Sequence, residues 1–524
     1  MNLRPTEIFN EYQKGCEYKS ALGTKGLFEQ NRINERFYIG DQWYGANCGA
    51  DRPLVRHNVI KRIGDYKMSQ VLNQKTSMEF SAEGIPTVSF DSVTDFSGNL
   101  TEIEVNSVMA SLSDYYSVTC ERVNLGALSS AVLKNAYISG TALLYTYWNP
   151  GLKTGTFADN KGEVAINGDI SCELLKIEDV VFGDPYCESI QNQPYIIISA
   201  NKNLDAVLRE AATYGADMST LTAIEESSKN GKVQVLTKLY KAYTRDGSIQ
   251  IKGIKITSNA VVRPEFSTEL SLYPLAQFKW DTKSSCAYGE SEITYLIPNQ
   301  IAINRLITAN VWSTLSTGLP IMLVNGDTVS EKITNDPGQI IKIYGNNDDV
   351  SGAVKYVTPP SHIKEFDDSI NTLINNTLTQ SGANEVALGD SRADNATALI
   401  TMRDAALLPL KIIKNRYYVF LEDVARIWAD FWVSHYGKRR IKIKKSNSYT
   451  YIPFDGDRYR GLIINTKIQV NNDTEYTEKE QLETLLTLFD KGIITKAELL
   501  ERIPAGMVAD VNSIKREENE NDRV

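Results

Sequence analysis

The chain has 524 residues, 42% hydrophobic and 23% charged, a globular mix that excludes a fibrous or disordered protein and exceeds the size at which one core stops growing. Acidic side chains outnumber basic ones 65 to 56, for a formal charge of -9, which argues against a protein that grips nucleic acid through many phosphates. Six cysteines without CxxC spacing (Cys16, Cys48, Cys120, Cys172, Cys187, Cys286) fit a reducing compartment, and with no signal-peptide core in Met1–Thr6 and no membrane-length apolar run, an unexported, membrane-free protein is expected.

Apolar residues at three- and four-residue spacing predict short helices at Glu7 to Tyr18, Leu27 to Tyr38 and Asn58 to Leu72. Residues 100 to 139 also read as helical. Gly140 ends that stretch before Thr141 to Trp148, whose aromatic and apolar content predicts a strand closed by the Asn149-Pro150-Gly151 turn. Ile170 to Ala200 is strand-like around Phe182-Gly183-Asp184-Pro185, and Leu204 to Tyr214 is a short amphipathic helix. Val233 to Tyr243 and Ser248 to Ile256 form a hairpin across Arg245-Asp246-Gly247. The first 285 residues therefore read as a mixed α+β body.

Residues 291 to 317 follow a helix pattern, 318 to 361 are short strands with polar turns, and 363 to 381 are helical again. In the second helix Ile363, Phe366, Ile370, Leu373, Ile374 and Leu378 form one face and Asp367, Asp368, Asn371 and Asn375 the other. Residues 382 to 395 are a loop by composition. A long helix follows, with Leu399, Ala406, Leu410, Ile413, Tyr417, Phe420, Val424, Ile427 and Phe431 along its seam and a kink expected at Pro409. Residues 440 to 470 return to β character, 476 to 503 are a helical pair broken near Gly492, and the charged tail from Ser513 reads as frayed.

Four stretches in this order carry a resemblance: Phe37-Tyr38-Ile39-Gly40-Asp41-Gln42-Trp43, the strand after Gly140, Val180-Val181-Phe182-Gly183-Asp184-Pro185, and Tyr288-Gly289-Glu290-Ser291-Glu292-Ile293 running into Pro298-Asn299-Gln300-Ile301-Ala302-Ile303-Asn304. With the length and the succession of helix, insert, helix, loop and long helix, the chain resembles the portal (head-to-tail connector) proteins of tailed bacteriophages. The resemblance implies an α+β portal-type subunit in a homo-oligomeric ring, usually a dodecamer, at one capsid vertex of the virion, assembled in the host cytoplasm. Double-stranded DNA would pass through its axial channel. The implied partners are the terminase large subunit, the major capsid and scaffold proteins, and a tail adaptor. No cofactor, metal or enzymatic activity is implied. Residues 1–290 would be the wing, 291–317 and 362–381 the two stem helices, and 318–361 the clip. The tunnel loop would be 382–395, the long helix and wing return 396–474, and the crown and tail 475–524.

The resemblance assigns DNA-channel contact to Asn384, Glu385, Asp390 and Arg392 of the loop and to Lys364 of the second stem helix; without it, the loop reads more readily as a connector. Asn325, Asp327, Lys332 and Lys342 are the clip candidates for partner docking, although polar turns are commonly just solvated. Geometry permits the conduit. Twelve helices spaced about 10 Å apart give a circle of about 19 Å radius, and a bore of about 28 Å once a helix half-width is removed. The stem helices carry few cations, chiefly Arg305 and Lys364, against Glu292, Glu365, Asp367 and Asp368. Since every neutralised phosphate adds affinity, a cation-poor wall is one along which DNA slides.

Other features have plainer readings. The basic run Lys438 to Lys445 suits nucleic acid, but Arg440, Lys442 and Lys444 alternate with Ile441 and Ile443 as on an edge strand with a solvated face. Asp455-Gly456-Asp457 is a turn rather than half a cation loop. No phosphate-cradling G-x-x-x-x-G-K-[ST] loop occurs, and His57, His362 and His435 lack ligand spacing. Gly289-Glu290-Ser291-Glu292-Ile293 lacks the second glycine of a nucleophile elbow, so Ser291 is expected to cap the helix that follows. The rival readings are another virion component, such as a tail-tube or baseplate protein, and an unrecognised nucleic-acid enzyme or carbohydrate hydrolase.

Overall fold

The computed structural model describes residues 4–45, 53–83, 102–152, 168–244, 247, 249–317, 321–324, 329, 354–357, 363–383, 407–445, 448–460, 462–471, 475–495 and 498–499. The fold is α+β. In chain order, α1 (Pro5–Ala21), α2 (Leu27–Ile39) and α3 (Val59–Leu72) precede β1 (Lys75–Glu83), and α4 (Glu102–Val123) and α5 (Leu125–Ser139) lead to β2 (Thr141–Asn149). There follow β3 (Asp169–Leu175), β4 (Val180–Phe182), β5 (Tyr195–Asn203), α6 (Leu204–Thr213), α7 (Met218–Glu226), β6 (Lys232–Tyr243), β7 (Ile249–Ile256), β8 (Val261–Ser267) and β9 (Leu275–Lys279). The remainder is α8 (Glu292–Thr317), β10 (Ile321–Val324), β11 (Val354–Val357), α9 (Ile363–Gln380), α10 (Leu410–His435), β12 (Lys438–Lys445), β13 (Ser448–Asp455), β14 (Ile463–Asn471) and α11 (Glu475–Asp490).

Strands β4 to β8 form one antiparallel sheet in sequence order. Period-two alternation divides its two faces. Val181, Ile197, Leu236, Ile254 and Ile256 meet Ile8 of α1, while Val233 and Val235 point the other way and pack with Val207 and Ala211 of α6 and Ile224 of α7. A second sheet runs β3-β2-β9, and a two-stranded ribbon pairs β1 with β14, from Lys75↔Asn471 to Glu83↔Ile463. That pairing weaves the late part of the chain into the N-terminal body.

The largest core is built around α10, whose Trp428 and Trp432 are fully buried. Trp432 lies 5.1 Å from the Tyr115 ring and 5.9 Å from Phe80, and Trp428 lies 5.3 Å from Tyr116. A helix of such large side chains at seam positions is stabilised mainly by burial, with offset and tilted ring contacts adding to it. Near its beginning the helical path is broken at the expected residue: Leu407 is helical, Leu408 and Pro409 form a turn, and α10 starts at Leu410 with Pro409 in its N-cap position. A proline is tolerated at a helix start because the N–H it lacks would have no intrahelical partner there.

The basic run divides by the alternation of a strand. Ile441 and Ile443 are buried and Arg440 is exposed, as the alternation predicts, and Arg439, on the same face as the isoleucines, is buried with them. Its guanidinium donates to the Tyr436 carbonyl at 2.9 Å and the Gly168 carbonyl at 3.2 Å and stacks 3.8 Å from the Tyr436 ring. Beside it Asp169 accepts from the Tyr436 hydroxyl at 2.6 Å and pairs with Arg122. Arg439 is thus a satisfied core cation, which removes it from any surface patch.

Candidate functional site

Helices α8 and α9 form an antiparallel hairpin, about 39 Å and 27 Å long at 1.5 Å per residue. Asn299 Nδ2 donates to Thr377 Oγ1 at 3.3 Å, and Asn310 Nδ2 to Asp367 Oδ1 at 2.7 Å. The two contacts are 11 residues apart on α8 and 10 on α9, so the helices run side by side across about three turns. On α9 Ile370, Thr377 and Leu378 are buried and Leu373 and Ile374 half-buried, the one-sided pattern its periodicity predicts. The insert between the helices contains β10 and β11, paired from Ile321↔Val357 to Val324↔Val354. At its other end α9 closes with the Gly382 N–H on the Thr379 carbonyl and the Ala383 N–H on the Leu378 carbonyl, Gly382 being left-handed at φ 75°.

The root of α8 is set into the body by polar side chains. Ser291 donates its hydroxyl to the Tyr137 carbonyl at 2.6 Å and accepts the Ile293 N–H at 3.1 Å. Glu292 binds Lys67 Nζ at 2.6 Å and the Trp280 indole N–H at 3.0 Å. Ahead of this start two glycines lie back to back: a Cβ on Gly140 would collide with the Gly289 carbonyl, and one on Gly289 with the Gly140 carbonyl. Farther along, Gln300 Oε1 accepts the Val59 N–H at 3.0 Å and the Ile60 N–H at 3.3 Å, and its Nε2 donates to the His57 carbonyl at 2.6 Å. Asn304 Oδ1 accepts the His57 N–H at 3.1 Å, and its Nδ2 donates to Gln42 Oε1 at 2.6 Å. Thr308 Oγ1 accepts the Val55 N–H at 3.2 Å. Gln42 and Asn304, from two of the stretches singled out in the sequence, are therefore direct partners.

The charges on the hairpin are few. From 293 to 317 the only charged residue is Arg305, and from 369 to 383 there is none. Arg305, Lys364, Glu365, Asp367 and Asp368 are exposed. Glu292, counted above with the acidic side of the wall, is instead turned into the body and held by Lys67 and Trp280. The rest of the exposed α9 surface is neutral and polar: Ser369, Asn371, Thr372, Asn375, Asn376, Thr379 and Gln380. Amides and hydroxyls make weak, water-exchangeable hydrogen bonds, without the counterion release that makes Lys and Arg contacts with a polyanion tight.

Lys364 is exposed in the first turn of α9. The other predicted site residues, Asn325, Asp327, Lys332 and Lys342 of the insert and Asn384, Glu385, Asp390 and Arg392 of the loop, lie outside the described residues, as does His362. Just before and just after 384–406 the chain comes together, where a Cβ on Gly382 would stand 3.1 Å from Pro409 Cβ. Sequence reasoning missed Gln42, Gln300, Asn304 and Thr308 as a set. The spacing of an amide, an amide and a hydroxyl at 300, 304 and 308 was the signal available, since residues four apart share a helix face.

Lys19, Asp455 and Asp457 are engaged by the fold. Burial pushes the Lys19 ammonium down to about 8, and it donates to the Ile177 and Glu178 carbonyls at 2.8 and 2.9 Å. Asp455 faces Lys438 at 3.9 Å and Asp457 faces Arg460 at 3.2 Å. Among the described residues no group of three or more His, Cys, Asp or Glu side chains is placed to hold a metal, and no helix is long and apolar enough to cross a membrane. No family model matches the chain, and no curated protein matches it.

Proposed function

We infer that the chain is a portal-type subunit of a tailed bacteriophage, one of a ring of copies that encloses an axial channel for double-stranded DNA. The observation that carries this reading is the antiparallel α8–α9 hairpin, body-mounted at one end, bearing a β10–β11 ribbon in its insert, and poor in cations, with Arg305 and Lys364 the only two on its helices. Twelve such hairpins, each turning one helix inward, leave a bore of about 28 Å, and a cation-poor wall lets a duplex move without accumulating phosphate contacts.

In this reading α8 and α9 are the stem, the insert between them is the clip that docks the terminase and later the tail adaptor, and the segment after Gly382 reaches the DNA. Capsid and scaffold proteins meet the wing. The channel acts through geometry and weak contact rather than covalent chemistry. Electron microscopy of the purified full-length chain tests it: rings with a central hole support the reading, and a uniformly monomeric particle overturns it.

A further inference from the structure

The three rungs on α8 match the chain they bind in period. Thr308, Asn304 and Gln300 take the backbone groups of residues 55, 57 and 59–60 in turn. Four residues of helix rise about 6.0 Å and two residues of extended chain about 6.6 Å, so the contacts stay in step across two turns of α8. Gln300 also supplies acceptors for the first two N–H groups of α3, while Asn58 Oδ1 accepts the third at 3.0 Å, so that the helix start, which has no intrahelical acceptors of its own, is satisfied. Gln300 and Asn304 are 1% and 2% exposed, which makes an unfilled rung costly.

We propose that Gln300, Asn304 and Thr308 are positioning residues that lock α8 in one axial register, making the hairpin a fixed strut that cannot step along the body by a helical turn. The residues flanking the ladder enforce this. A one-turn shift in one direction brings Leu296 to the place of Gln300, leaving the Ile60 N–H facing an isobutyl group and the Val59 N–H with the His57 carbonyl alone, at 2.9 Å. The opposite shift brings Trp312, which has no acceptor, to the place of Thr308, and puts the shorter Asn304 where Gln300 reaches two donors. Either shift also separates Glu292 from Lys67 and Trp280, partners held at 2.6 and 3.0 Å. For a DNA conduit, the consequence is a wall that stays still while the duplex moves past it. The lock itself rests on the ladder and not on the conduit reading.

Two measurements on the full-length chain test it without involving DNA or ring closure. Single-residue amide exchange compares the wild type with Thr308→Val and Thr308→Ser, at a half-buried site where folding is not at risk. Valine is expected to speed exchange of the Val55 amide about five-fold, the equivalent of one hydrogen bond, and serine to restore it. Image classification of the wild-type particle is expected to find α8 in one register against α3 in every class. A class displaced by about 5.4 Å, one helical turn, or a Val55 amide indifferent to Thr308→Val, overturns the proposal.

Discussion

Helices α8 and α10 are each 26 residues long and are used in opposite ways. α10 buries thirteen side chains, two tryptophans among them, and serves as the pillar of the main core. α8 buries a few apolar residues near its root, among them Ile293, Leu296 and Ile303, and is held by a salt bridge and polar rungs. Its far half leaves Trp312 and Leu315 exposed. An apolar pillar is stabilised by area and tolerates repacking, whereas a polar mount depends on each partner being in place. A pillar suits a scaffold, and a mount with one register suits an element that must point in a set direction.

The comparison can be broken at several points. Trp432→Ala is expected to cost about 4 kcal/mol in denaturant unfolding, the range for large-to-small changes in a packed core; a loss below about 1 kcal/mol contradicts the pillar. Lys67→Met leaves Glu292 without its cation in a site where the Lys67 side chain is 7% exposed, and the expected loss is about 3 kcal/mol, most of it recovered on adding Glu292→Leu. If the single variant behaves like a surface pair, the mount is not what holds α8. Thr308→Val should cost about 1 kcal/mol, and Arg305→Ala, exposed on the hairpin, less than about 0.5 kcal/mol.

A smaller effect lies at the end of the pillar. The His435 ring sits 5.2 Å from Trp148 and 5.3 Å from Phe431, and burial holds its imidazole below its ordinary value, with Arg460 and Arg439 acting in the same direction and Glu269 opposing. At pH values above the ordinary histidine value of about 6.5 both folded and unfolded chains carry it neutral. As pH falls through that value the unfolded chain takes the proton first, so the folded state loses stability until the lowered folded value is passed. Stability measured from pH 7.5 to 5 should therefore show a downward component that His435→Gln removes; an unchanged profile in the variant contradicts it.

What was legible in the sequence follows from this division. The seam of α10, the one-sided face of α9 and the hairpin of β6 and β7 show as periodicity because burial alone selects their residues. The strand β1 did not show: its partner, β14, is almost 400 residues away, and Lys75 to Glu83 alone has little to mark it as a strand. Alternation places Arg439 on the face of Ile441 and Ile443, but the acceptors that satisfy it there, the Gly168 and Tyr436 carbonyls, are invisible to composition. Glu292 looked like wall charge because Lys67, 225 residues earlier, is its partner only in the fold. Helical spacing is local and shows itself; pairing across the chain does not.

The central claim is that the α8–α9 hairpin lines a channel for a duplex, and a symmetry-resolved reconstruction of the assembled particle tests it most directly. The account predicts a closed ring, of about twelve copies, with one helix of each hairpin lining an axial bore of about 28 Å. An assembly in which the two helices are buried between subunits away from the axis, or line a bore too narrow for a duplex, would contradict it.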